Sequence, residues 1–194
     1  MGTNENNRIE MQDIMIDFET LGLGLDAAII QIGAVEFNRY SGKTGKTLDL
    51  DIDLDASIKL GFTVGWNTII WWMNQSEEAR KKVFFNEKFR LHPHLAIISL
   101  NEFINGRRIW AHLPFDFFRL INHMEKLDIE PSFHFKKGRD LWTLLDLANM
   151  DESDFKKIDS LTKHTALDDA LYQVNYCVKA LRKLRDTTFI ENAI

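Results

Sequence analysis

Up to Asp53 the hydrophobic pattern of this chain is that of strands, and beyond it that of helices, broken by one short apolar strand. That change of period limits the fold more than any other feature, because strand side chains alternate between faces while helical ones return every three to four residues. Asp13 to Phe18 is an apolar run interrupted by Asp17. Ala28 to Asn38 is rich in β-branched residues, as a central strand would be. Thr47 to Asp53 alternates apolar and acidic residues, which predicts a half-buried strand with one wet face. The cluster Ser41 to Gly45 predicts a turn, and the three strands read as an antiparallel meander. Further on, Thr68 is placed to cap a helix carrying Ile69, Trp72 and Met73, and Ser76 with Glu77 and Glu78 opens another. Leu95 to Ile104 has helical spacing and stops at Asn105-Gly106. Arg108 to Ala111 is the later strand. Helices are predicted from Pro114 to about Leu127, from Asp140 to Ala148, and from Ala166 to Leu184. Strands, then helices, a strand and more helices imply an α/β sandwich with a mixed sheet.

The chain has 194 residues, 45% of them hydrophobic. That suffices for one core and one domain, expected over residues 13–188, with a flexible N-terminus at 1–12 and a tail at 189–194. The formal net charge of −5 argues against a protein that coats nucleic acid electrostatically. It does not exclude an enzyme acting on nucleic acid, because acidic metal ligands inflate the count and bound cations reverse the local sign. The one cysteine, Cys177, falls within the last helix and reads as a small core residue. A lone thiol fits a reducing compartment, and no apolar run is long enough to cross a bilayer, so a cytoplasmic protein is expected.

Five residues carry the chemistry. Asp17 and Glu19 lie two apart on a strand and therefore share a face. Their bland reading is a strand-end pair facing water, but carboxylates in an apolar strand are costly unless neutralised. Asp116 lies just inside the helix after Pro114, among Phe115, Phe117 and Phe118; a first-turn acid favoured by the helix dipole is the simpler account of it. His164 falls in the loop before the last helix and Asp169 on its first turn, with Asp168 about 100° round the axis.

Taken in order, D-x-E, F-D and H-x-A-x-x-D resemble the DnaQ-like exonucleases of the DEDDh type, from about Asp13 to Leu181. The segments IDFETLG, TIIWWMNQSEEAR and RDLWTLL resemble one branch of that superfamily, with the mycobacterial-type exoribonucleases, the phage exonuclease A proteins and the prophage exonuclease VIII-like proteins. Thr165 stands four residues before Asp169, where the tyrosine subtype has tyrosine. The resemblance implies a ribonuclease-H-like fold, with a mixed central sheet and an antiparallel three-strand meander flanked by helices. It implies Asp17, Glu19, Asp116 and Asp169 as ligands of two Mg²⁺ or Mn²⁺ ions, and His164 as general base. Four carboxylates are the hard oxygen donors those ions prefer. The implied reaction is hydrolysis at the 3′ end of single-stranded RNA or DNA, releasing nucleoside 5′-monophosphates. By the same resemblance Thr20, Leu21 and Gly22 wall the terminal nucleotide. Trp72 is expected to stack on its base ahead of Trp71, Phe115 and Lys163 to meet substrate, and a homodimer is implied. One departure stands out. The branch carries an Asn/Gly-rich stretch before Phe-Asp, and this chain has Ala111-His112-Leu113-Pro114, where His112 is a candidate replacement for a lost polar contact.

Two rival readings remain at this level. One is a nucleic-acid-binding module that retains the fold with little catalysis. The other is an adaptor using the tryptophan pair as an interaction surface.

Overall fold

The structure, a computed structural model, describes residues 11–155, 158 and 160–191, with side chains through Asp186. The N-terminus expected to be flexible lies outside the described residues except for Met11 and Gln12.

Three long strands form the meander: β1 (Asp13–Thr20), β2 (Ile29–Phe37) and β3 (Thr44–Ile52). They pair antiparallel, with Asp17 opposite Gly33 and Gly33 opposite Asp49. Three short strands complete the sheet: β4 (Arg90–Leu91), β5 (Arg108–Ala111) and β6 (Gly138–Asp140). The order is β4-β3-β2-β1-β5-β6, with β4 parallel to β3 and both β5 and β6 parallel to their neighbours. This is the mixed α/β sheet of the ribonuclease-H-like fold. The period-two rule fixes its two faces. Ile14, Ile16 and Phe18 enter one core with α4 (Pro93–Ile104) and α5 (Asp116–Lys126), while Met15 enters the other with α6 (Leu141–Leu147) and α7 (Ala166–Glu191). Asp17 and Glu19 share the parity of Met15 and so lie on the α7 face.

Gly33 sets how closely α7 approaches. A side chain there would meet the backbone of Ala166 at 2.1 Å. The first turn of α7 therefore rests on β2 directly beside Asp17.

Three further helices, α1 (Leu54–Lys59), α2 (Trp66–Met73) and α3 (Glu77–Phe84), lie between β3 and β4. Here the structure corrects several expectations. Gly65, not Thr68, caps α2, and Thr68 lies inside it. Ser76 does cap α3, accepting from Ala79 N. Pro114 precedes α5 by two residues because the chain first turns, with Phe115 N and Asp116 N both donating to His112 O. The last helix runs on to Glu191, through part of the expected tail. The wet face of β3 ends at Asp51, which is buried and accepts from Gln31 Nε2 at 2.7 Å. Asn105, left-handed at φ 43°, ends α4 as the Asn-Gly pair predicts. Among the described residues no helix is long and apolar enough to cross a membrane.

Candidate active site

The acids converge where β1 and β5 end and α7 begins. Asp116, the first residue of α5, ties the two strand ends together. Its Oδ1 accepts from Phe18 N at 3.3 Å and its Oδ2 from His112 N at 3.2 Å. Asp17 Oδ1 accepts from Gln173 Nε2 at 2.6 Å. Gln173 lies four residues after Asp169, hence on the same face of α7. Asp169 Oδ2 accepts from His164 N at 2.8 Å, which anchors the histidine loop to the helix it precedes. His164 itself adopts φ 65°.

Two donor groups result. Asp17, His112 and Asp116 form one, and Glu19, His164 and Asp169 the other; within each, one ligand atom per residue lies within 4.8 Å of the others. Thus the five predicted residues come together, joined by His112. Asp17, His112, His164 and Asp169 line a cleft of about 590 Å³. Beside it, Glu19, Thr20, Leu23, Asn67, Thr68 and Trp71 line a smaller cavity of about 330 Å³.

Crowding of carboxylates raises their proton affinity. Burial, then Asp116, Glu19 and Asp169, pushes Asp17 well above the usual range. Burial, then Asp169 and Asp116, does the same to Glu19. Burial lifts Asp116 and Asp169 to about 6, against the lowering effects of His112 and Arg119 on the first and of His164 N and Lys163 on the second. Burial, then Lys163, lowers His164 and favours its neutral form. Four acids held this way call for cations, and their hard oxygens fit divalent ones. The buried Gln173 Oε1, which has no hydrogen-bond partner among the described residues, lies on the side chain that grips Asp17.

The expected substrate contacts fare unevenly. Trp72, expected to stack on a base, is 3% exposed, and its Nε1 donates to Thr20 O at 3.0 Å. Its ring has no free face. Trp71 is 43% exposed, lines the smaller cavity and sits edge-on to His164, with ring centroids 4.9 Å apart. Leu21 is buried in the core, with its N–H on Ala28 O and its carbonyl accepting from Gly65 N, so its backbone groups are not free to meet a sugar. The Gly22 carbonyl is taken by Thr20 Oγ1 and Arg119. Thr20 lines the smaller cavity and Lys163 the larger, while Phe115 is partly exposed beside Trp142. Sequence reasoning missed Gln173, which helical spacing from Asp169 would have found. It also missed Tyr176 and Glu152, which the pattern does not single out.

The sequence profile of the 3′-5′ exoribonuclease Rv2179c-like domain matches residues 12–181. The chain belongs to this family. As a member of the Rv2179c-like family it is related to the exodeoxyribonuclease of Enterobacteria phage T4, with 28% identity over 209 aligned positions that cover 89% of this chain and 90% of the phage protein. Among solved structures, the zinc-bound E. coli exonuclease I complex with single-stranded DNA superposes with a TM-score of 0.63 at 12% identity, over 94% of this chain and 42% of that one. The Mg²⁺- and Mn²⁺-bound S. pombe Pop2p superposes with a TM-score of 0.51 at 12% identity, over 87% of this chain and 82% of that one. At such identities the likeness is one of fold. The chain spans less than half the length of the exonuclease I chain. The family is one of DEDDh 3′–5′ exonucleases.

Proposed function

We propose that this chain removes nucleotides from the 3′ end of single-stranded nucleic acid, RNA and DNA alike, by hydrolysing the terminal phosphodiester to release nucleoside 5′-monophosphates. The observation that carries this reading is the pair of adjoining donor groups, Asp17/His112/Asp116 and Glu19/His164/Asp169, beside an open cleft. The four carboxylates would hold Mg²⁺ or Mn²⁺, which would supply Lewis acidity for the attacking water and the leaving 3′ oxygen. His164, kept neutral by its partial burial, takes the proton of the water on a ring nitrogen. Asp169 fixes the approach of His164 by accepting its backbone N–H. Trp71 flanks the smaller cavity and offers an exposed face to the terminal base, in the role first given to Trp72. Thr20 lines that cavity and Lys163 meets phosphate from the rim of the larger.

Support for both sugars comes from the relatives, since the family description names an exoribonuclease and the phage relative is named an exodeoxyribonuclease. Two oligonucleotides of matched sequence, one RNA and one DNA, each 5′-labelled and incubated with Mn²⁺, test the proposal. A ladder shortening from the 3′ end is expected for both. Internal cuts, shortening from the 5′ end, or cleavage that survives chelation would overturn it. A binding module without catalysis would leave both oligonucleotides at full length.

A further inference from the structure

We propose that His112 is a direct ligand of the cation held by Asp17 and Asp116, and that this nitrogen donor tilts that half of the site from Mg²⁺ towards Mn²⁺ and the later first-row ions. The inference rests on the metal-dependent reading above and assigns a role to a residue that the expected set of four acids and one histidine leaves out.

A ring nitrogen of His112 lies within 4.8 Å of carboxylate oxygens of Asp17 and Asp116, which are equally close to each other. The ring is held at Nε2 and on one face. Its Nε2 lies 3.2 Å from the Tyr176 hydroxyl and 3.4 Å from Glu152 Oε1. Its plane packs on Trp142, with centroids 4.7 Å apart, and its side chain is 16% exposed. Its backbone N–H is fixed to the same Asp116 carboxylate. Nε2 is engaged by Tyr176 and Glu152, whereas Nδ1 has no hydrogen-bond partner among the described residues and is the nitrogen that the inference gives to the cation. That is how metal-binding histidines are presented: one nitrogen to the ion, the other donating to a carboxylate that orients the ring and raises its basicity.

His164 is built for the other task. It sits in a loop, its neighbours are the edges of Trp71 and Trp72, and neither ring nitrogen has a hydrogen-bond partner among the described residues. A base must pick up and release protons, whereas a ligand must stay put. The better-anchored ring is therefore the ligand.

The chemical consequence follows from donor softness. Mg²⁺ favours an all-oxygen octahedron and gives up water reluctantly, while imidazole suits the later transition ions. Exchange of one oxygen position for nitrogen favours Mn²⁺ over Mg²⁺ at this site.

Pulsed electron paramagnetic resonance of Mn²⁺ bound to the full chain reads the nitrogen directly, through its ¹⁴N coupling. Coupling is expected in the unmodified chain and in His164→Gln, and is expected to be lost in His112→Gln. Equilibrium titration should show Mn²⁺ affinity falling about tenfold or more in His112→Gln, with a smaller loss for Mg²⁺. The His164→Gln protein keeps the question decidable even where His112→Gln does not fold, because these two histidines are the ones in the donor groups among the described residues. Coupling that persists in His112→Gln, or vanishes in His164→Gln, would assign the nitrogen elsewhere and overturn the inference. Mn²⁺ bound through oxygen alone would overturn it while leaving the metal-dependent reading intact. Failure to bind Mn²⁺ at all would remove both.

Discussion

Shifting the pH of the metal-free and metal-loaded protein from 8 to 5 should change their difference in stability by a predictable amount. Asp116 and Asp169 rise from an ordinary 3.8 to about 6 in the fold. Between those values the folded chain binds more protons than the unfolded one, so metal-free stability falls as pH rises through that window. His123 works in the opposite sense. Its buried ring, stacked on Phe62 at 4.1 Å, is lowered from 6.5 to about 4, so acidification through 6.5 destabilises the fold. From pH 8 to 5 the two acids favour the fold by about 3 kcal/mol and His123 opposes by about 2, so the metal-free curve alone decides nothing. The difference between metal-free and metal-loaded protein does, because His123 lies outside the donor groups and cancels. At pH 5 a cation must displace a proton from each of these acids, which weakens apparent affinity about tenfold per acid. That is about a hundredfold in all, and about 3 kcal/mol of lost metal-induced stabilisation. Asp17 and Glu19 are raised as well, burial first and then the neighbouring acids. For a chain of this size the metal-induced rise in Tm at pH 5 should be smaller than that at pH 8 by about 6–12 °C. Differential scanning calorimetry with saturating Mn²⁺ measures it. An equal metal-induced rise at both pH values would refute the assignment of these acids as ligands.

Three further outcomes are expected. Asp17→Asn or Asp169→Asn should abolish turnover while leaving the metal-free Tm unchanged or raised, since each removes repulsion among buried acids; near-normal cleavage by either variant would end its role as a ligand. His164→Ala should lower the single-turnover rate by ~10²–10⁴-fold with little change in Mn²⁺ affinity, and a variant that cleaves normally would take His164 out of the reaction. Trp71→Ala should weaken single-strand binding by ~1–3 kcal/mol at unchanged stability, whereas Trp72→Ala should destabilise the fold by ~3–5 kcal/mol; the reverse pattern in binding and calorimetry would restore the original assignment of Trp72.

The parts of the fold that could be read from the sequence are those with a period. The apolar runs of β1 and β2 with the alternation of β3 defined the meander, and the two-residue spacing of Asp17 and Glu19 put both acids on one face. Strands β4 and β6 are only two and three residues long, too short to carry a period, and were missed. The tryptophan pair failed for another reason. Adjacent helical residues point about 100° apart, so one of the two had to face inward, but what chose Trp72 was the distant Thr20 carbonyl that its indole reaches. Leu21 followed the same logic, since its side chain is buried in a cluster with Ile30, Trp72 and Val83 from distant parts of the chain. His112 was visible only as a departure from a pattern. Its company with Asp17, Glu152 and Tyr176 is a product of tertiary folding, joining β1, β5, the turn after α6 and α7.

Asp168 and Asp169 are adjacent acids on one helical turn, and the structure gives them opposite fates. His164 holds a left-handed backbone, which costs a residue other than glycine about 1–3 kcal/mol unless its surroundings impose it. Asp168 helps to impose it. Its Oδ2 accepts from Thr162 N at 2.9 Å, Thr165 Oγ1 at 3.0 Å and Lys82 Nζ at 3.1 Å. Thr162 Oγ1 in turn donates to Glu78 and accepts from Lys82, both at 2.6 Å. The partly exposed Lys82–Asp168 pair contributes at most about 1 kcal/mol on its own, too little to hold the loop. Together with the bonds to Thr162 and Thr165, at about 0.5–1.5 kcal/mol each or more where a charge is involved, it matches the strain. Burial acts to raise Asp168, but these donors outweigh it and keep its carboxyl below the usual range. Asp169 accepts from His164 N, yet burial outweighs its donors and raises it. Three donors crowd onto Asp168 Oδ2, whereas Asp169 stands in the donor group with Glu19 and His164. On this account the Ser76–Lys82 stretch, carried by α3, acts at a distance from substrate: it anchors Asp168 and Thr162, and through them fixes where His164 and Asp169 stand.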